Sequence, residues 1–356
     1  MRPNIRLARR ISEWLTGKFT SSHTPAAPRR GAVTHVIILD GTMSSLAPGQ
    51  ETNAGQTYLL LREIGAEVSV YYEAGVQWRS WRQTLDVMMG RGINRQIRRA
   101  YGYLASRYRP GDKIILMGYS RGAFAVRSLA GVIDRVGLLR AECATERNIR
   151  TAYRHYELTP DTAAAKEFAA AHCYEHTEIE MIGVWDTVKA LGARVPVLWR
   201  ITERRHAFHN QQLSPVVRHG FHALALDETR QVFEPELWRC PDDWDGRVEQ
   251  VWFRGAHSDV GGQLVGFDAA RPLANVSLVW MLERLAICGV DLPEGWRDWF
   301  ETDPDAPMVG TWRALGKYFL FRAPRVVCAD RSESIHPSAV PYVTAGDIKG
   351  QVLQQT

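Results

Sequence analysis

The chain has 356 residues, 45% hydrophobic and 23% charged, the composition of an ordinary globular protein with room for one large α/β domain or two small ones. Its net charge of +5 sits in the tail: residues 1–30 hold seven basic residues against Glu13 alone, so the body is near neutral and gives nucleic-acid binding no support. Five scattered cysteines without a CxxC pair argue against a zinc finger or disulfide framework and for a reducing compartment, and no apolar run reaches the ~20 residues needed to span a bilayer.

Residues 1–30 read as a basic tail. Placed on a helix, Leu7, Ala8, Ile11, Trp14, Leu15 and Phe19 share one face, and Arg6, Arg9, Arg10 and Glu13 share the other. That pattern suits peripheral contact with an anionic membrane. A frayed helix followed by a linker explains the same residues. The linker TSSHTPAAPRRG leads into HVIILDGT (35–42), a buried strand ending at a glycine turn. TNAGQTYLLLREI predicts a helix, EVSVYYEAG (67–75) a strand, and residues 91–107 an amphipathic helix. DKIILMG (112–118) predicts a third strand and GAFAVRSLAGVIDRVG a helix closed by Gly137.

Residues 138–178 are polar and helical and predict an inserted cap; strand character returns at EIEMIGVWDT (178–187). A second insertion is expected over 192–217, then a helix at GFHALALDETRQ, a strand at EQVWFRGAH (249–257) and a last helix at LANVSLVWMLERLAICG. One α/β domain is expected over 31–340, with a C-terminal tail at 341–356. Strands alternating with helices predict an α/β fold: a mostly parallel central sheet with helices on both faces and a helical cap insertion.

Gly118-Tyr119-Ser120-Arg121-Gly122 lies between the third strand and its helix. G-x-S-x-G in that context is the nucleophile-elbow pattern: a strained turn presents the serine hydroxyl at a helix N-terminus, and Gly118 and Gly122 relieve the crowding. The plain alternative is a tight turn with a capping serine. A serine nucleophile needs a base, and a carboxylate to orient it, both following later strands. IGVWDTV offers Asp186 and VWFRGAHSDVGG offers His257, in the right chain order. His336 is the main rival base; His206, His209, His219 and His222 sit in the insertion or on the predicted helix. Asp259 is better placed to shape the loop, and Asp227 and Glu228 read as a solvated pair on that helix. Oxyanion donors are expected from the backbone N–H of Arg121 and of Thr42, with Gly41 allowing close approach. The alternative for Asp40 and Thr42 is turn capping. DGT also hints at an aspartate-nucleophile phosphatase, but Thr42 stands where that chemistry requires a second aspartate, which counts against it.

HVIILDGT, GYSRGA, GVWDTV, FHNQQLSPVV, HALALDETRQVFEPELW and VWFRGAHSDVGG occur in that order. Together they resemble an α/β-hydrolase family, long labelled a domain of unknown function, that includes the catalytic domain of type VI secretion lipase effectors. The resemblance spans roughly residues 33–340. It implies a serine hydrolase with phospholipase A-type activity, and the family's triad falls on Ser120, Asp186 and His257. Effector members usually carry large membrane-binding additions, for which this chain has little room. The expected substrate is a phospholipid or other acyl ester, with no metal or organic cofactor. The alternatives are a small soluble ester or a non-catalytic scaffold. The expected location is cytoplasmic, with membrane contact through residues 1–30.

Overall fold

The computed structural model describes residues 31–65, 67–75, 91–188, 213–240, 247–313, 316–317 and 319–343. The tail at 1–30, His206, His209 and most of the 192–217 insertion lie outside the described residues. Among the described residues, seven strands form one sheet: β1 (Thr34–Leu39), β2 (Val68–Glu73), β3 (Lys113–Tyr119), β4 (Ile179–Trp185), β5 (Val217–Ala225), β6 (Arg247–Phe253) and β7 (Glu333–Ile335). Their order is β2-β1-β3-β4-β5-β6-β7, and every pair is parallel. The helices are α1 (Asn53–Arg62), α2 (Arg91–Ala105), α3 (Arg121–Arg135), α4 (Glu146–Leu158), α5 (Ala163–His172), the single turn α6 (His257–Gly261) and α7 (Arg271–Ile287).

Alternation along each strand splits the core in two. Ile37 and Leu39 of β1, Ile114 and Leu116 of β3, and Ile182 and Val184 of β4 face α2, α3 and α4. Their neighbours Val36, Ile38, Ile115, Met117 and Met181 face α1 and α7. Both faces are therefore buried, which is why these strands read as continuous apolar runs. The helical stretch at 138–178 holds α4 and α5. Ile149, Ala152, Tyr153 and Tyr156 of α4 are buried in the core shared with α2 and α3, so this insertion thickens the helical layer on that face.

One expectation fails. GFHALALDETRQ is no helix: residues 217–225 form β5, between β4 and β6. Alanine and leucine carry helix propensity, but between two strands their side chains are buried on both sheet faces, and packing overrides propensity. The loop-rich C-terminal region adds β7, paired with Gln250–Trp252. Among the described residues, no helix is long and apolar enough to cross a membrane.

The strand order reverses beside β1: the chain leaves β1 for β2 on one side and returns as β3 on the other. The β1 loop runs toward α1 on one face and the β3 loop toward α3 on the opposite face. A crevice opens at such a switch point, outside the carboxyl ends of the strands. Residues 40–42 and Ser120 sit there.

Candidate active site

Ser120 ends β3 and is the N-cap residue of α3, but its side chain makes no capping bond. Its φ of 57° and ψ of −120° are strained for a residue with a side chain. The turn is held by the Ser120 N–H, which donates to the Trp185 carbonyl at 3.0 Å. A Cβ at position 122 would lie 2.0 Å from the Leu39 carbonyl oxygen, and one at 118 would lie 2.7 Å from the Gly122 carbonyl carbon. Only glycine fits this corner, as the sequence pattern implies.

Asp186 follows β4 with a φ of 40°, and its N–H donates to the Ala223 carbonyl at 2.8 Å. His257 opens α6, a few residues past β6. Its Nε2 lies 2.9 Å from Ser120 Oγ, and its Nδ1 lies 2.5 Å from Asp186 Oδ2. Serine, imidazole and carboxylate thus form one hydrogen-bonded chain across the ends of three strands. All three are buried, Asp186 completely. With the carboxylate at Nδ1, that nitrogen carries the proton and Nε2 turns its lone pair to the hydroxyl.

Burial opposes ionisation of Asp186. Arg325 chiefly, and then His257, hold its carboxyl well below the usual range. Arg325 Nη1 donates to Oδ1 at 2.6 Å and Nη2 to Oδ2 at 2.9 Å, while the Ala225 N–H donates to Oδ1 at 3.0 Å. The imidazole is also boxed by rings. Phe233 stacks on it at 4.7 Å and 13°, and Tyr119 lies on it at 4.9 Å. The His257 N–H donates to Glu228 Oε2 at 3.2 Å. Glu228 is no solvated helix residue: it is buried and forked to Arg230 at 2.8 and 2.6 Å. Burial opposes its charge, but Arg230 draws its carboxyl below the ordinary range.

The β1 loop lies alongside. Asp40 is buried and accepts from the Gly41 N–H at 2.6 Å and from the Thr52 and Tyr72 hydroxyls at 2.7 Å each. Burial raises its carboxyl pKa, and those donors only partly offset it. A Cβ on Gly75 would come within 2.6 Å of Thr42 N, so the loop after β2 packs tightly against this peptide. The Thr42 carbonyl accepts from Gln263 Nε2 at 3.0 Å. Thr42 and Arg121, the two expected oxyanion donors, line one cavity with Asp40, Gly75, Ile93 and Gln96.

The rival histidines are engaged elsewhere. His336 stacks on Phe253 at 4.6 Å, and its ring accepts from the Ser338 N–H; burial lowers it to about 4. His222 is fully buried and accepts the Thr187 N–H at 3.0 Å; burial lowers it to about 3. Asp259 accepts N–H bonds from Ala256, Val309 and Gly310 and shapes the loop, as its spacing suggests. Sequence reasoning missed Arg325, which no spacing marks, and Phe233, Arg230 and Gln263. Phe233 and Arg230 do lie inside the stretch HALALDETRQVFEPELW.

Glu180, His219 and Cys288 could offer three metal-ligand atoms within 4.8 Å of one another. They lie toward the amino ends of the strands, away from Ser120. Arg218 Nη1 is 3.9 Å from the Glu180 carboxylate and Lys113 donates to the Cys288 carbonyl at 3.4 Å, so the local charge opposes a cation.

Sheet order and the carboxyl-edge crevice define an α/β protein of hydrolase-like architecture. More narrowly, residues 34–284 match the type VI secretion system phospholipase effector Tle1-like catalytic domain, and the chain belongs to that family. The uncharacterized protein YEL023C of Saccharomyces cerevisiae is 29% identical over 226 residues, 56% of this chain and 32% of its own length. An uncharacterized Pseudomonas aeruginosa protein of known structure matches with a TM-score of 0.45 and 14% identity, over 90% of this chain and 54% of that one. A Tle1 effector solved bound to the VgrG spike of the type 6 secretion system matches with a TM-score of 0.34 and 19% identity, over 66% and 52%. The chain thus spans about a third of the curated relative and about half of each solved chain.

Proposed function

We propose that the chain is a serine hydrolase that cleaves acyl esters of phospholipids. The observation that carries this reading is the continuous hydrogen-bond chain Ser120–His257–Asp186. Ser120 Oγ attacks the acyl carbonyl carbon as its proton passes to His257 Nε2. The carbonyl π bond opens to an oxyanion, which the Thr42 and Arg121 N–H groups hold. Collapse expels the alcohol, which takes the proton from Nε2. Water, deprotonated by the same nitrogen, then attacks the acyl-enzyme and releases the acid. Asp186 accepts a hydrogen bond from Nδ1–H throughout and stabilises the imidazolium.

Family membership favours a lipid over a small soluble ester. So does the surface beside Phe233: Val232, Leu320 and Phe321 are exposed, the last two at 82% and 78%. The Gln231 N–H donates to the Phe321 carbonyl at 3.1 Å and Phe319 packs edge-on against Phe233 at 5.6 Å, so this segment runs beside the residue that stacks on His257. The basic tail adds attraction to anionic headgroups. The family description carries secretion with it; binding to a VgrG-type spike protein tests that part. A panel of phospholipid vesicles and short-chain esters, run with wild type and Ser120→Ala, tests the chemistry. We expect hydrolysis of both classes by wild type, faster on vesicles, and none by the variant. Equal rates in the two proteins would overturn the serine mechanism. Turnover of short esters alone would favour a soluble substrate.

A further inference from the structure

We propose that Arg325 is a positioning residue for this hydrolysis, and that the active site therefore extends beyond the family-matched residues into the C-terminal segment. The inference rests on the serine-hydrolase reading, but it concerns a residue that 34–284 does not contain.

The geometry is that of a clamp. Nη1 donates to Asp186 Oδ1 at 2.6 Å and to the Ala225 carbonyl at 2.8 Å. Nη2 donates to Asp186 Oδ2 at 2.9 Å and to the Phe233 carbonyl at 2.5 Å. The guanidinium and carboxylate side chains are 5% and 0% exposed. One planar group thus fixes both oxygens of the acid, the end of β5 and the residue whose ring covers the imidazole. Asp186 meets His257 at its edge and Phe233 meets it at its face. A residue 139 positions beyond Asp186 therefore sets both contacts.

Orientation, rather than charge, is what the clamp supplies. A cation on the carboxylate weakens the field that Asp186 exerts on the imidazolium, so it cannot aid catalysis by electrostatics alone. What it does is restrict rotation of the carboxylate about its terminal torsion, adding two donors to the Ala225 N–H and the His257 ring that also hold it. It also satisfies a fully buried anion that is otherwise too costly to keep ionised. The other charged or titratable groups facing His257 are Tyr119, Glu228 with its partner Arg230, and Asp259. Tyr119 donates to the His257 carbonyl at 3.3 Å and Glu228 accepts the His257 N–H. Asp259 binds the N–H groups of Ala256, Val309 and Gly310. None of these touches the carboxylate of Asp186 in the hydrogen-bonding pattern, so none replaces Arg325.

Lysine cannot reproduce the clamp, because a single ammonium lacks the planar fork. Arg325→Met and Arg325→Lys separate positioning from a purely structural tether. The first readout is the low-field proton resonance of the His257 Nδ1–H···Asp186 bond, which needs no turnover. The second is kcat and KM on a short-chain soluble ester. We expect Arg325→Met to lose or move the resonance and to lower kcat about 10²-fold at near-constant KM. Arg325→Lys, which keeps the charge but not the fork, should recover at most part of both. An unmoved resonance with unchanged kcat in folded Arg325→Met would overturn the proposal. So would a lysine variant that restores both in full, because its ammonium supplies the charge without the fork. If wild type turns over no ester, the hydrolase reading fails, while the resonance still decides whether Arg325 orients Asp186.

Discussion

Lowering the pH from 7 to 5 should destabilise the protein through His222 before Asp186 is protonated. His222 is wholly buried on β5, and its Nε2 accepts the N–H of Thr187, the residue after Asp186. A lone pair is needed there, so the folded state keeps this ring neutral, and burial lowers it from 6.5 to about 3. The unfolded chain binds a proton below about pH 6.5 and the folded chain does not. Stability from His222 is therefore complete above pH 6.5 and falls as the pH drops toward 3. At pH 5 the loss amounts to about 2 kcal/mol. With a urea m-value of about 2–3 kcal/mol/M, the unfolding midpoint drops by roughly 0.7–1 M. His222→Gln offers an amide oxygen to the Thr187 N–H and does not titrate. Urea unfolding at pH 5, 6 and 7 should show wild type losing about 2 kcal/mol more than this variant. Parallel pH dependence in the two proteins would refute the reasoning.

Other perturbations test the architecture around the site. Gly122→Ala places a methyl 2.0 Å from the Leu39 carbonyl oxygen, so backbone must part, and a loss of about 3 kcal/mol or more is expected by thermal or chemical unfolding. Glu228→Ala strands the buried Arg230 guanidinium and frees the His257 N–H; a loss of about 3–5 kcal/mol should accompany slower ester hydrolysis. Leu320→Ser with Phe321→Ser, both on exposed side chains, should lower vesicle hydrolysis about tenfold and leave short-ester hydrolysis and melting temperature within error.

Much of the sheet was legible in the sequence because buried parallel strands announce themselves. HVIILDGT, KIILMG and EIEMIGVW are apolar on both faces, and each ends at a turn residue that the carboxyl edge needs. Ser120 was legible for a further reason: steric crowding at the elbow writes itself into two glycines. β5 was hidden because its Ala and Leu content mimics a helix, and only its neighbours decide its state. Glu228 was misread for the same cause: taken on a helix it is solvated, whereas past β5 it turns inward toward His257. Arg325 lay beyond sequence reasoning because its role depends on a loop returning across the sheet edge, which leaves no periodic trace.

The most direct measurement is covalent labelling with a fluorophosphonate, with the modified peptide located by mass spectrometry. A single adduct on Ser120, formed far more slowly in His257→Ala, is the predicted result. Folded wild type that takes up no label, or that labels equally fast without the imidazole, would contradict a serine activated by its neighbour.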